Sequence, residues 1–143
     1  MEQMNNTEKI KAIFLRVDEE NIYRGYIGEI HNTLVDKQSY VGGYIEVISV
    51  DGVIDLICNE DGKLLHLPSN RALVGEEGQI LDVVVGNIVC VRHDKDGEFT
   101  SISEEDMETI KKYLRPCKII GVRDGYTIVA LLPEKDLKEW KDE

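Results

Sequence analysis

The sequence predicts an α+β fold, an antiparallel β-sheet built from hairpins with two short helices packed on it. Three observations carry that expectation. Asp-Gly pairs recur at 51–52, 61–62, 96–97 and 124–125, and those at 51–52 and 124–125 separate β-rich runs, the strongest short-range hairpin signal a sequence offers. Residues 44–50 alternate, with Tyr44, Glu46 and Ile48 on one face and Ile45, Val47 and Ser49 on the other. Two short segments, following Thr33 and Ser103, combine a capping residue with an apolar helical stripe. Tight turns between successive strands imply antiparallel pairing rather than a βαβ arrangement.

In chain order, residues 9–17 and 22–30 read as a strand pair joined across the polar stretch Asp18-Glu19-Glu20-Asn21. Thr33 caps the first helix, whose shared face is Leu34, Gln38 and Val41, and Gly42 stops it by accepting a left-handed conformation. Residues 44–50 and 53–58 form the hairpin around Asp51-Gly52. Residues 82–91 are almost wholly apolar and read as one central strand buried on both faces, with Gly86 marking a bulge or a close backbone approach. Ser103 opens the second helix, acids in its first turn suit the helix dipole, Met107, Ile110 and Leu114 form its buried stripe, and Pro116 ends it. A hairpin over 117–132 and a charged tail, readable as a frayed helix with Trp140 as an anchor or interface residue, complete a single domain over 1–143.

The chain of 143 residues is long enough to bury a sizeable core, and 42% hydrophobic with 31% charged residues is ordinary globular composition. No apolar run reaches membrane-span length, and the polar start, Met1 to Thr7, lacks the chemistry of a secretion signal. Cys58, Cys90 and Cys117 lie in apolar strand-like stretches and read as small buried hydrophobes, so a reducing, cytoplasmic location is expected. The net charge of -11 argues against direct nucleic-acid binding and against an anionic membrane surface. Residues 76–108 concentrate ten acids against Arg92 and Lys95, either a solvated face or a surface for a basic partner protein.

No catalytic set emerges, because His31, His66 and His93 sit in no nucleophile or metal motif. Cys90-x-x-His93 lacks a second ligand pair, and positions three apart on a strand point to opposite faces, so no metal or cofactor is expected. Unusual polar residues cluster instead in the middle of the chain. Gly42-Gly43 would let backbone N–H groups approach a ligand, Tyr44 would stack, and Glu46, Asn59 and Asn70 would hydrogen-bond. Lys63 and Arg71, if they converge, would make an anion site of the kind phosphates prefer. A structural account covers the same residues: Gly42-Gly43 as a helix stop, Asn59 to Lys63 and Pro68 to Arg71 as turns, and Arg71 paired with Glu46 or Glu60.

The pieces VGGYIEV, CNEDGK and LPSNRAL, in this order and spacing, resemble a family of bacteriophages and mobile elements known as a domain of unknown function. The resemblance implies a family-like core over 29–115, with the strand pair 9–30 before it and the hairpin and tail over 117–143 as additions. It implies an accessory-gene setting and no activity. From the cluster we expect a non-catalytic, homo-oligomeric binder that sequesters a small phosphorylated signal molecule, and the accessory-gene setting that the resemblance implies makes that molecule a nucleotide-derived immune signal and the role counter-defence. The acidic segment suggests an alternative, a DNA-mimic-like inhibitor of a host protein; a small hydrolase using Glu46 or Glu60 ranks third.

Overall fold

A computed structural model describes residues 8–141, so the reading of Met1 to Thr7 lies outside the described residues. Twelve strands and helices follow one another as β1 (Lys9–Leu15), β2 (Tyr26–His31), α1 (Leu34–Val41), β3 (Ile45–Ser49), β4 (Ile54–Asn59), β5 (Ser69–Val74), β6 (Ile80–Val85), β7 (Ile88–His93), β8 (Phe99–Thr100), α2 (Asp106–Tyr113), β9 (Leu114–Arg123) and β10 (Tyr126–Leu131). The α+β expectation holds, but the strands make two sheets rather than one. The larger runs β2-β1-β7-β4-β3, with β8 also on β7, and the smaller runs β10-β9-β5-β6. Every pairing between these strands is antiparallel.

Period-two alternation explains how the large sheet buries both faces. Ile13 and Leu15 of β1, Leu56 and Cys58 of β4, and Ile88 and Cys90 of β7 pack with Ile110 of α2 and with Val84 and Leu114 of the small sheet. The intervening residues Ala12, Phe14, Ile57, Val89 and Val91 face the other way, against Val41 of α1. The result is layered: α1, then the large sheet, then α2 together with the small sheet. No described helix is long and apolar enough to cross a membrane.

Local sequence explains the first helix well. Thr33 Oγ1 accepts from Asp36 N at 3.1 Å, and Gly42 ends the helix at φ 84° with its N–H on Gln38 O. The buried face differs from the expected one: Lys37 and Val41 are buried, whereas Leu34 is exposed. Lys37 Nζ escapes isolation by donating to Asn32 Oδ1 at 2.8 Å and Thr33 O at 3.2 Å, and it lies 5.0 Å from the Phe99 ring centroid. The Asp51-Gly52 hairpin forms as read, with Asp51 Oδ1 accepting from Val53 and Ile54 N–H groups.

The expected single strand over 82–91 is instead two strands in two sheets. Gly86 sits at φ 79° between β6 and β7, and a Cβ there would lie 2.7 Å from Leu67 Cδ1. The corner is fastened by Gly86 N on Pro68 O at 2.8 Å and by Val17 N on Asn87 Oδ1 at 3.0 Å. Apolar character is the same for one buried strand or two, so the pattern could not reveal the corner.

The second helix also starts and stops differently. Ser103 does not cap it through its hydroxyl; Asp106 Oδ2 accepts the Ser103 N–H at 2.8 Å while the same carboxylate takes a two-pronged bond from Arg92 at 2.7 and 2.9 Å. The helix ends at Tyr113 and the chain passes straight into β9, so Pro116 is a strand residue opposite Arg71. The 117–132 hairpin is present within β9 and β10. Among its described residues the tail contains one 3-10 turn, Glu134–Asp136, and no other helix; Trp140 anchors it edge-on to Tyr23, ring centroids 5.1 Å apart.

Candidate functional site

The structure separates the polar residues that the sequence placed together. Gly42 is the left-handed helix stop, and Gly43 follows it so closely against Asn59 that a Cβ would lie 2.9 Å from Nδ2. Asn59 is buried and locally engaged: Nδ2 donates to Val41 O at 3.1 Å, and Oδ1 accepts from Asp61 N at 2.8 Å. Tyr44 is 69% exposed and Glu46 lies on the edge strand β3. Glu46, Asn59 and Lys63 do line one small cleft, of about 150 Å³, together with Glu60 and Asp82. Its charge is wrong for a phosphate. Lys63 Nζ is already 2.6 Å from Asp82 Oδ1, which leaves the other carboxylates dominant. Burial, with Glu46 and Asp82 adding to it, pushes the Cys58 thiol up to about 11.

Asn70 and Arg71 lie elsewhere and correct the expected anion site. Both are buried among the protein's own groups. Asn70 Nδ2 donates to Leu15 O at 2.9 Å and Gly86 O at 2.8 Å, and its Oδ1 accepts from Arg71 Nη1 at 2.7 Å. Arg71 Nη2 donates to Tyr23 O at 3.0 Å, and burial lowers its pKa to about 10. Neither Glu46 nor Glu60 pairs with it among the described ion pairs. The pair fastens β5 to the end of β1, to the Gly86 corner and to the 16–25 loop. Arg71 and Lys63 therefore do not converge.

A larger opening lies on the opposite layer, between β1, β2 and α1, with a volume of about 500 Å³. Its wall is aromatic. Phe14 stacks on Tyr26 with centroids 5.3 Å apart and meets Tyr40 edge-on at 5.1 Å. Gly28 makes room for this, since a Cβ there would lie 3.0 Å from Phe14 Cε2. Arg16 extends the wall: its Nε donates to Tyr26 Oη at 2.6 Å, and its guanidinium carbon lies 4.9 Å from the Tyr40 centroid and 4.3 Å from that of Trp140. Among the described residues no carboxylate pairs with Arg16. Tyr40 Oη is buried without a hydrogen-bond partner, and burial raises its pKa strongly. Lys9 and His31 also line the groove, against Glu29 and Asp36.

Sequence reasoning missed this groove because its residues come from three elements and form no local motif. The available signal was narrow: Phe14 and Arg16 are two apart on extended chain and thus share a side. A guanidinium ringed by aromatics can stack on a flat ring and donate in a fork to phosphate oxygens. The dimensions suit a nucleotide-sized molecule.

The acid-rich segment is partly neutralised: Asp82 pairs with Lys63, Asp106 with Arg92, and Glu76 lies 3.9 Å from Lys112 Nζ. Among the described residues no group of three or more His, Cys, Asp or Glu is placed to hold a metal ion. Cys90 is buried, and His93 Nδ1 lies 2.8 Å from Asp55 Oδ2.

Residues 10–115 match the family model described as Domain of unknown function (DUF3846). The match takes in β1 from its second residue and all of β2, and β9 after its first two residues and the whole of β10 lie beyond it. No curated protein and no solved structure matches the chain.

Proposed function

The chain belongs to the DUF3846 family, whose description carries no activity, and we propose that it is a non-catalytic protein that captures a small, flat, phosphorylated ligand of the nucleotide class. The observation that carries this reading is Arg16: a guanidinium beside three aromatic rings, without a carboxylate partner among the described residues, on a groove of about 500 Å³ in a protein whose net charge is -11. Such a protein repels anions at long range, so an unneutralised cation in a recess marks a place where a local anion is favoured. Aromatic stacking on Phe14, Tyr26 or Tyr40 supplies affinity for a base, and Arg16 with Lys9 supplies it for phosphate. The mobile-element setting implied by the sequence motifs makes a nucleotide-derived immune signal the first ligand to try, and sequestration the role.

The test is capture from lysates of bacteria whose nucleotide-signalling defences have been triggered. After washing and heat denaturation, mass spectrometry identifies what the protein releases. An intact phosphorylated molecule near one per site, lost on Arg16→Ala, is the expected result. One charge-assisted hydrogen bond is worth about 1.5–3 kcal/mol, so the loss in affinity is on the order of 10- to 100-fold. A chemically modified product would identify an enzyme, and wild-type capture by Arg16→Ala would remove this groove from consideration.

A further inference from the structure

We propose that the edge strand β10 pairs with β10 of a second copy of the chain, antiparallel and about a two-fold axis, joining two small sheets into one. Four observations converge on it.

The first is the edge itself. β10 ends the small sheet, and its sequence Tyr-Thr-Ile-Val-Ala-Leu contains no charge and no proline. Natural edge strands are protected by charge, brevity or bulges. The other edges here obey that rule: β2 carries Glu29, β3 carries Glu46, β6 carries Asp82 and is interrupted by register shifts, and β8 has only two residues. Of the edges longer than two residues, β10 alone carries no charge; its pairing with β9 does shift register between Ile128 and Val129, the extra residue, Ile120, lying on β9.

The second is projection. The pairing of β9 with β5 ends at Pro116, whereas β9 and β10 continue together to Arg123 and Tyr126. The outer half of this hairpin is supported by its own two strands, an arrangement of marginal stability in water. The third is exposure along that half. Val122 is 71% and Tyr126 77% exposed, with Ile119, Ile120 and Ile128 also open.

The fourth selects a second copy as the occupant. The hairpin carries Arg115, Lys118 and Arg123 against Asp124 alone, the reverse of the chain's overall balance. Antiparallel pairing lays the turn of one hairpin beside the end where the other chain leaves β10. That end carries Glu134, Lys135 and Asp136; Glu134 faces Arg71 of its own chain, which leaves Asp136 as the acid open to a partner. Each copy thus brings Arg123 toward Asp136 of its mate, twice over by symmetry. The surface is isologous and closes after two copies.

The groove at Arg16 lies against α1 and the large sheet, so ligand capture and this pairing can fail separately.

Sedimentation velocity on the full chain, from micromolar concentrations upward, tests the proposal. The expected species has twice the 16.3 kDa chain mass. The double variant Tyr126→Lys/Ile128→Lys, which places charge on two exposed positions, should sediment as a monomer with an unchanged circular dichroism spectrum. Arg123→Glu should weaken the dimer at least tenfold, and adding Asp136→Arg should restore it. A wild-type monomer throughout would overturn the proposal and leave the edge to a strand of a different protein. So would a dimer indifferent to the lysines, or an open series of larger species.

Discussion

Replacing Asn70 with alanine tests whether the Asn70–Arg71 pair is structural. The side chain is fully buried and makes three hydrogen bonds, to Leu15 O, to Gly86 O and from Arg71 Nη1. Alanine would take this donor from the Leu15 and Gly86 carbonyls and the acceptor from Arg71 Nη1, while Arg71 Nη2 keeps Tyr23 O. An unmade bond of this kind costs about 1–3 kcal/mol, and more when the orphan is charged, as Arg71 is. The full sum overstates the loss, because the three groups share one small void that a water can enter and bridge. The expected destabilisation is therefore about 3–5 kcal/mol, a large part of the roughly 5–15 kcal/mol that holds a domain folded. Urea unfolding followed by circular dichroism reads it directly, and Trp140 fluorescence reports whether the tail still docks on Tyr23. Asn70→Asp keeps an acceptor for Arg71 but sets a carboxylate oxygen against the Leu15 and Gly86 carbonyls, so it should be no more stable than alanine if those two donor bonds dominate. A loss below about 1 kcal/mol for alanine, or ligand release without destabilisation, would show that the pair serves a surface role after all.

Two further outcomes follow from ionisation. Asp106 is held below its ordinary value of 3.8, chiefly by the Arg92 hydrogen bonds, so the folded state binds its proton less readily than the unfolded state does. Its contribution is complete above 3.8 and is lost as pH falls below that value; stability curves of wild type and Asp106→Asn, measured by urea unfolding at several pH values, should converge there. Burial pushes Cys58 and Cys117 up to about 11 and Cys90 up to about 12. All three should resist a thiol reagent at neutral pH and react together on unfolding; a fast native phase would contradict their burial.

What the sequence disclosed was mostly local. The Thr33 cap, the Gly42 stop and the Asp51-Gly52 hairpin are short-range devices in which neighbouring residues satisfy neighbouring backbone groups, and each appears where it was read. The misreadings were long-range. Residues 82–91 look the same as one strand or two: Gly86 marks an irregularity, but Pro68, Leu67 and Asn70, which hold it as a corner, lie outside the run. Asn70 and Arg71 look like ligand groups because a paired donor and acceptor and a positive charge stand in what reads as an exposed turn, whereas the structure places them in β5. Here they face the meeting point of three other segments. The Arg16 groove was invisible for the complementary reason: Phe14, Arg16, Tyr26 and Tyr40 become neighbours only when β1, β2 and α1 are assembled.

The Asn70 side chain has a consequence for how the molecule comes together. Its two donor bonds span 55 and 16 residues of chain, so neither can close until the end of β1 and the turn at Gly86 have both arrived. Loops of that length cost entropy before the bonds return anything. The small sheet cannot become native ahead of the large one, since its β5 strand carries the fastener and the large sheet supplies one of its sockets. The two sheets should therefore melt and form as one cooperative transition, with the joint between them closing among the last steps.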